Sequence, residues 1–229
     1  MKEHTELAPK CLLEFQGKAL LDWQLKALRD AGISEIAIVT GYRGEMLRNR
    51  GLVEFNNARW DRTNMLSSLL SASEWLTLEP CIVTYSDIVY WSTAIKTLMD
   101  CESDLAITYD PNWLNIWRSR FSDPIIDAET FRISPQKTLV EIGCKPKSVE
   151  EIQGQFMGVL RITPIGWAEI IRVRGSLSAT AQDQLQITST LQMVIEKENI
   201  DIKALPYVGG WMEFDSIEDF AVAEKLFEK

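Results

Sequence analysis

Two aspartates and one lysine are the residues of this sequence that could act together on a phosphate. Asp87 and Asp215 each follow a short apolar run that predicts a buried strand, and Lys10 follows Pro9 near the start of the chain. Mg²⁺ takes one or two carboxylates plus the phosphates of its substrate, and a lysine would neutralise charge developing on phosphorus. These residues favour chemistry on a metal-bound nucleotide, but a turn-capping aspartate and a solvated loop lysine would leave the same pattern.

Composition excludes several other kinds of chemistry. The 229 residues carry a net charge of −9, whereas a nucleic-acid surface needs clustered lysine and arginine. His4 is the single histidine, so a histidine-centred triad or a histidine-rich metal site is not expected. The four cysteines form no CxxC pair, which fits a reducing cytosol and offers no zinc site. No Walker, GxSxG or GxGxxG motif, signal peptide or membrane-length apolar run occurs, so we expect a cytoplasmic protein with neither nucleic-acid nor membrane partners.

The elements that must position these residues alternate between strands and helices. A helix over 20–28 precedes a strand over 34–40, and a short helix over 45–48 leads from that strand to a strand over 53–55. Strand–helix–strand with short links indicates a parallel sheet. A period of two after residue 129 predicts an antiparallel hairpin with Pro135 at its turn. We therefore predict one α/β domain over 1–229: a mixed, mostly parallel sheet flanked by helices, with a small antiparallel β insertion. The other predicted strands span residues 81–85, 105–109, 156–163, 202–207 and 211–214.

The predicted helices and loops include five assignments that the structure can test. Residues 113–121 interleave two tryptophans with two arginines, which suits either a lid over a charged group or a surface helix with its tryptophans inward. One continuous helix is expected from Asn64 to about Leu76, capped by Thr63 or Asn64, and a loop over 174–184. Helices over 188–199 and 216–227 are expected to be capped by Thr188 or Ser189 and by Ser216.

Seven short motifs occur in one order along nearly the whole chain, and together they carry a family resemblance. The sequence resembles the NTP-dependent nucleotidyltransferases of the sugar-phosphate and phosphocholine cytidylyltransferase-like family. The helix start at Asn64 and the GQFMG motif favour the phosphocholine-type branch. The motifs are residues 5–12 (TELAPKCL), 17–21 (GKALL), 36–42 (IAIVTGY), 63–69 (TNMLSSL), 85–87 (YSD), 154–158 (GQFMG) and 211–215 (WMEFD).

The resemblance implies a Rossmann-like sheet and Mg²⁺-dependent transfer of a nucleoside monophosphate, most simply CMP from CTP, with release of pyrophosphate. The acceptor would be phosphocholine, an aminoalkyl phosphonate or a sugar phosphate, in cell-surface polysaccharide or phosphonate biosynthesis. On this basis Lys10 is the predicted catalytic residue, and Asp87 and Asp215 are the predicted Mg²⁺ ligands. The predicted substrate-binding residues are Asn64, Arg118, Arg120 and Lys145.

The sequence departs from the family pattern at its start. The family begins with a strand and a glycine-rich loop that cradles the triphosphate through backbone N–H groups. Here the chain starts about where that loop would end, so we expect roughly twenty residues to be missing, counting one strand and one loop. The neighbours of such a strand would then have unpaired edges, and the chain as written would turn over nucleotide slowly or not at all. Ala19 also replaces a usual proline.

Two other functions remain compatible with these residues. A non-catalytic module on the same fold would bind a nucleotide or sugar phosphate without turnover, and the departure at the start favours it. A nucleotide-sugar glycosyltransferase also uses aspartates and a divalent metal on such a sheet, but it has no use for the Pro9–Lys10 start.

Overall fold

The structure, a computed structural model, describes residues 7–227 and has a four-stranded sheet at its centre. The strands, in chain order, are β1 Glu14–Phe15, β2 Lys18–Ala19, β3 Ala37–Thr40, β4 Val53–Asn56, β5 Cys81–Thr84, β6 Ile88–Tyr90, β7 Leu105–Asp110, β8 Phe131–Ile133, β9 Leu139–Ile142, β10 Gln155–Ile162, β11 Ile202–Pro206 and β12 Trp211–Glu213. The α-helices are α1 Leu20–Asp30, α2 Met65–Leu70, α3 Ser73–Leu76, α4 Ser92–Met99, α5 Trp113–Arg120, α6 Pro164–Gly175, α7 Ala179–Asp183, α8 Ile187–Lys197 and α9 Glu218–Leu226. Four short 3-10 helices join them, over Lys10–Leu12, Gly44–Leu47, Pro124–Ile126 and Val149–Glu151.

The central sheet has the order β11-β7-β10-β5, and it mixes parallel and antiparallel pairs. Strand β11 runs parallel to β7, whereas β10 runs antiparallel to both β7 and β5. Strand β7 is buried along its whole length, and β10 nearly so, because helices cover both faces of a sheet of this class. The predicted mixed α/β fold is confirmed, as is the antiparallel hairpin of β8 and β9. The central sheet is not mostly parallel as predicted, because among residues 7–227 β10 pairs antiparallel with both of its neighbours.

A groove separates this sheet from the parallel pair β3–β4. Within residues 7–227, β3 pairs only with β4 and β5 pairs only with β10, so each keeps one unpaired edge. The groove between them has a volume of about 1060 Å³ and is lined by both strands and by α1. The groove ends at Tyr85, Asp87 and Glu213, next to the predicted site.

Helix α1 lines this groove and also packs against other elements of the fold. It packs against β6 and α4 through its buried face, which includes Leu20 and Leu28. Gln24, on the same face, is 3% exposed and donates hydrogen bonds to the carbonyls of Tyr85 and Ile88, at 2.9 and 2.7 Å. A buried amide that satisfies two backbone acceptors fixes the turn between β5 and β6, and that turn carries Asp87.

The predictions for helices and caps were partly wrong. The segment after Asn64 forms two helices, α2 and α3, and Asn64 caps the first by accepting from Met65 N. Helix α7 lies in the predicted loop; Ser178 caps it, but five polar or small residues leave no apolar stripe for sequence to reveal. Helix α8 begins at Ile187 with Gln186 at its N-cap, so Thr188 and Ser189 lie inside its first turn.

The structure also decides between the two interpretations of α5. Trp113 and Trp117 are 3% and 1% exposed, so the tryptophans form the inner face of the helix. A lid would leave them at the surface before substrate binds. Among residues 7–227, no helix is both long and apolar enough to span a bilayer.

Replacing Gly158 by alanine is expected to lower the free energy of unfolding by about 1–3 kcal/mol. Gly158 lies in β10 with φ of +75°, and an added Cβ would lie 2.8 Å from Cγ of Tyr85. Both the left-handed backbone and the contact with the Tyr85 ring oppose a side chain there. Urea denaturation measures the difference. Gly175→Ala is the control: a Cβ at this helix end meets nothing within 4 Å, so its stability should be equal or higher. Equal stability of the two variants would contradict this account.

Candidate active site

Lys10, Asp87 and Asp215, which lie far apart in the sequence, meet at one edge of the fold. Lys10 Nζ donates to Asp87 Oδ2 at 2.7 Å and to Asp215 Oδ1 at 2.8 Å. Asp87 precedes β6 and Asp215 follows β12, and these strands pair antiparallel, with Glu213 opposite Ile88. Antiparallel pairing sets the start of one strand beside the end of the other, which brings the two aspartates together. The Pro9–Lys10 segment then places one ammonium between them.

Glu213 is a third carboxylate at this place, and the sequence analysis missed it. Oxygen atoms of Asp87, Glu213 and Asp215 all lie within 4.8 Å of one another. Alternation along a strand puts Glu213 and Asp215 on the same face, two residues apart. The spacing of two residues could have identified Glu213. Residues 211–215 (WMEFD) were instead interpreted only as a strand followed by the predicted metal ligand Asp215.

Burial and charge shift the pKa values of this cluster in different directions. Burial opposes the charged form of Lys10, but the facing Asp87 and Asp215 carboxylates outweigh it, so the pKa of Lys10 is raised. Burial also opposes ionisation of Asp215, but Lys10 and Arg120 outweigh it and lower its pKa. For Glu213, burial and the charges of Asp215 and Asp87 raise the pKa to about 8. The cluster therefore has more carboxylate charge than Lys10 can neutralise.

The donor set of the cluster fits a hard divalent cation. Asp87, Glu213 and Asp215 offer carboxylate oxygens alone, without the sulfur or imidazole ligands that softer metals prefer. Burial, and after it the charges of Asp215 and Asp87, raise the pKa of Glu213, and a bound cation would offset the part that comes from those charges. These three residues could thus hold Mg²⁺ together with the phosphates of a substrate.

Arg120, predicted as a substrate-binding residue, lies beside the cluster and is paired with its carboxylates. Its side chain is 1% exposed, and the guanidinium is within ion-pair distance of three carboxylates: Glu213, Asp215 and Asp219. It also lies over the rings of Trp117 and Phe121, at 4.9 and 5.0 Å from their centroids. In this arrangement the guanidinium is paired with carboxylates, and its predicted contact with an acceptor phosphate stays a prediction.

Asp219 joins Arg120 to the backbone of the site. Its Oδ2 accepts from the N–H groups of Asp215 and Ser216, both at 2.8 Å. The cap predicted at Ser216 was wrong, because α9 begins at Glu218 with Ile217 at its N-cap and no side-chain cap hydrogen bond.

The other predicted substrate-binding residues lie outside the cluster. The Asn64 side chain accepts from Met65 N at the start of α2 and donates to Gln184 O. Lys145 is exposed and donates to the carbonyls of Ile125 and Ile126, both at 2.7 Å. Arg118 is exposed on α5. Their predicted contacts with an acceptor stay predictions.

Comparison with known proteins gives a family and several related structures. The family described as "MobA-like NTP transferase domain" matches residues 3–125. The CTP:phosphoglutamine cytidylyltransferase of Campylobacter jejuni is 32% identical over 234 residues, covering 95% of this chain and 92% of that protein.

Two solved structures share the fold at low identity. The inositol-1-phosphate CTP transferase from T. maritima has a TM-score of 0.76 at 16% identity, covering 100% of this chain and 91% of that one. The CTP:phosphocholine cytidylyltransferase from Streptococcus pneumoniae has a TM-score of 0.67 at 16% identity, covering 98% and 92%.

Proposed function

The chain belongs to the family of MobA-like NTP transferase domains and is a nucleotidyltransferase, and on this premise we propose that it transfers CMP from CTP to a small phosphorylated acceptor. The observation that carries the proposal is the meeting of Lys10 with three carboxylates at one edge of the sheet. A lysine and a carboxylate cluster are what nucleotidyl transfer needs for positioning and for charge. The choice of CTP is supported by the relative at 32% identity, which is named for it.

In the proposed reaction, a phosphate oxygen of the acceptor attacks the α-phosphorus of CTP in line. A new P–O bond forms, and the bond from the α-phosphorus to its β-bridging oxygen breaks, so pyrophosphate leaves with the electron pair. The acceptor phosphate is largely ionised at neutral pH and needs no general base. This accounts for a site without a histidine or an activated nucleophile among its residues.

The residues divide into two roles in this proposal. Asp87, Asp215 and Glu213 would hold Mg²⁺, which supplies positive charge to the nucleotide phosphates when bound. Lys10 would turn from the aspartates to the phosphate oxygens and hold them as charge develops. Asn64, Arg118 and Lys145 remain candidates for contacts with the acceptor or base.

The acceptor class is also proposed from the relatives. Phosphoglutamine is the acceptor named for the relative in Campylobacter jejuni. Phosphocholine, aminoalkyl phosphonates and sugar phosphates follow from the motifs. All are small and present a phosphate or phosphonate oxygen to the α-phosphorus.

The direct test measures pyrophosphate release by the 229-residue chain with Mg²⁺. Four NTPs are paired with phosphoglutamine, phosphocholine, an aminoalkyl phosphonate, inositol phosphate and a sugar phosphate, and EDTA is the control. We expect slow release with CTP and at least one acceptor, and none with EDTA. Nucleotide binding without release for any pair would favour the non-catalytic module. Transfer from a nucleotide sugar would favour the glycosyltransferase.

A further inference from the structure

We propose that Arg120 and Asp219 are a positioning pair that aims the Asp215 carboxylate at the metal site; the proposal rests on the metal role given to Asp215 above. Neither residue touches the place where a metal or phosphate would bind. They would act through Asp215, by fixing both its backbone and one of its carboxylate oxygens.

The pair itself is buried and has two hydrogen bonds. Arg120 Nε donates to Asp219 Oδ1 at 2.7 Å, and Nη2 donates to Asp219 Oδ2 at 3.2 Å. The two side chains are 1% and 3% exposed. Two parallel hydrogen bonds to one carboxylate fix the plane of a guanidinium, which a single contact does not.

The same two side chains hold Asp215 at both of its ends. Asp219 Oδ2 accepts from Asp215 N at 2.8 Å, which fixes the backbone. Arg120 Nη2 donates to Asp215 Oδ2 at 3.0 Å, which occupies one carboxylate oxygen. The remaining oxygen, Oδ1, is the one that faces Lys10 Nζ and, across it, Asp87. The pair therefore decides which oxygen of Asp215 is presented to the cluster.

Arg120 also places charge beside a second member of the cluster. Its Nη1 is buried without a hydrogen-bond partner among the described residues and lies 3.8 Å from Glu213 Oε2. At that separation it acts through charge rather than through a hydrogen bond. One guanidinium thus offsets the mutual repulsion of carboxylates that would otherwise move apart.

Stability alone does not account for such an arrangement. A buried ion pair recovers little more than its own desolvation cost, and apolar side chains of similar volume often do as well. Arg120 is the last residue of α5, which packs against α9. The rings of Trp117 and Phe121 already pack against its guanidinium. What the ion pair adds to apolar packing is a defined direction for Asp215.

The test uses Arg120→Lys, which keeps the positive charge but loses the planar fork of N–H donors that bonds Asp219 through two nitrogens and Asp215 in a fixed direction. Asp219→Asn is the second variant; it keeps an oxygen for the N–H groups of Asp215 and Ser216 but loses the charge facing Arg120. Binding of Mn²⁺ is measured by electron paramagnetic resonance without nucleotide, and kcat and KM for CTP are measured at several metal concentrations. Arg172→Lys is the matched control, because Arg172 makes two hydrogen bonds to Glu169 away from the site.

We expect both variants to bind Mn²⁺ about 10- to 100-fold more weakly, the usual loss when a partner of a metal ligand is changed. Excess metal should restore much of the lost kcat, and Arg172→Lys should match the wild type. A purely structural role would lower the urea midpoint but leave Mn²⁺ affinity unchanged in the folded protein. Unchanged affinity, absence of Mn²⁺ binding by the wild type, or failure of both variants to fold would overturn the proposal.

These outcomes separate the pair from the proposed function. Weakened Mn²⁺ binding in the variants of a chain that never releases pyrophosphate would support the pair and reject the enzyme activity. Wild-type turnover together with unchanged Mn²⁺ binding in both variants would support the enzyme activity and reject the positioning pair.

Discussion

Asp87→Asn is expected to lower kcat/KM for CTP at least about 100-fold while leaving the protein folded, and Asp215→Asn should do the same. Each change replaces a charged oxygen ligand by a neutral amide in a cluster whose oxygens lie within 4.8 Å of one another. Steady-state pyrophosphate release at saturating acceptor measures the loss. A Mn²⁺ titration of the same samples should show weaker binding.

Stability should hardly change, so the loss of activity can be assigned to the site. Asp87 and Asp215 are each paired with Lys10 and are 22% and 46% exposed. Partly exposed ion pairs contribute little, about 1 kcal/mol or less, and removing one carboxylate also relieves repulsion with Glu213. Asp30→Asn is the control, because Asp30 pairs with Lys26 on the exposed face of α1. Full activity of either site variant would reject the metal assignment.

The meeting of Lys10, Asp87 and Asp215 could be predicted because strand ends are strong signals. Buried strands appear as apolar runs, and the residues that follow them collect at one edge of a sheet. Glu213 carried a signal that was overlooked: its spacing of two from Asp215 places both on one face. The predicted site therefore lacked one carboxylate, Glu213, which the two-residue period of a strand could have identified.

Arg120 shows more clearly what cannot be predicted from the sequence. Exposed and buried arginines look alike in a sequence, and α5 could be read with its arginines toward solvent. Only the packing of α5 against α9 sets Arg120 beside Asp219, 99 residues later. Such a pairing follows from tertiary contacts, which no local pattern encodes.

The fold was predictable where elements are long and apolar. Strands β7 and β10 were found because each is buried for most of its length. Helix α7 was missed because its residues are polar or small, and β6 because three residues are too few to show a period. The antiparallel direction of β10 in the central sheet depends on how the chain crosses between strands, not on the composition of the strand itself.

Lys10→Met is expected to have opposite effects on metal binding and on turnover. In the absence of nucleotide, Lys10 Nζ lies 2.7 and 2.8 Å from the oxygens of Asp87 and Asp215, where its ammonium competes with a divalent cation. Methionine keeps most of the length of the side chain and removes the charge. We expect Mn²⁺ to bind the nucleotide-free variant about 3- to 10-fold more tightly. That difference in binding free energy is similar to the contribution of one or two such ion pairs.

Turnover of CTP by the same variant should fall at least about 100-fold, because no ammonium is left to hold the phosphate oxygens as charge develops. Titrating Mn²⁺ without nucleotide and measuring kcat on the same preparation separates the two effects. Lys26→Met is the control, since Lys26 pairs with Asp30 at the surface, and it should leave both quantities unchanged. Weaker Mn²⁺ binding would mean that Lys10 supports the carboxylates rather than competing for them. Retained turnover would mean that the phosphate is held by another group.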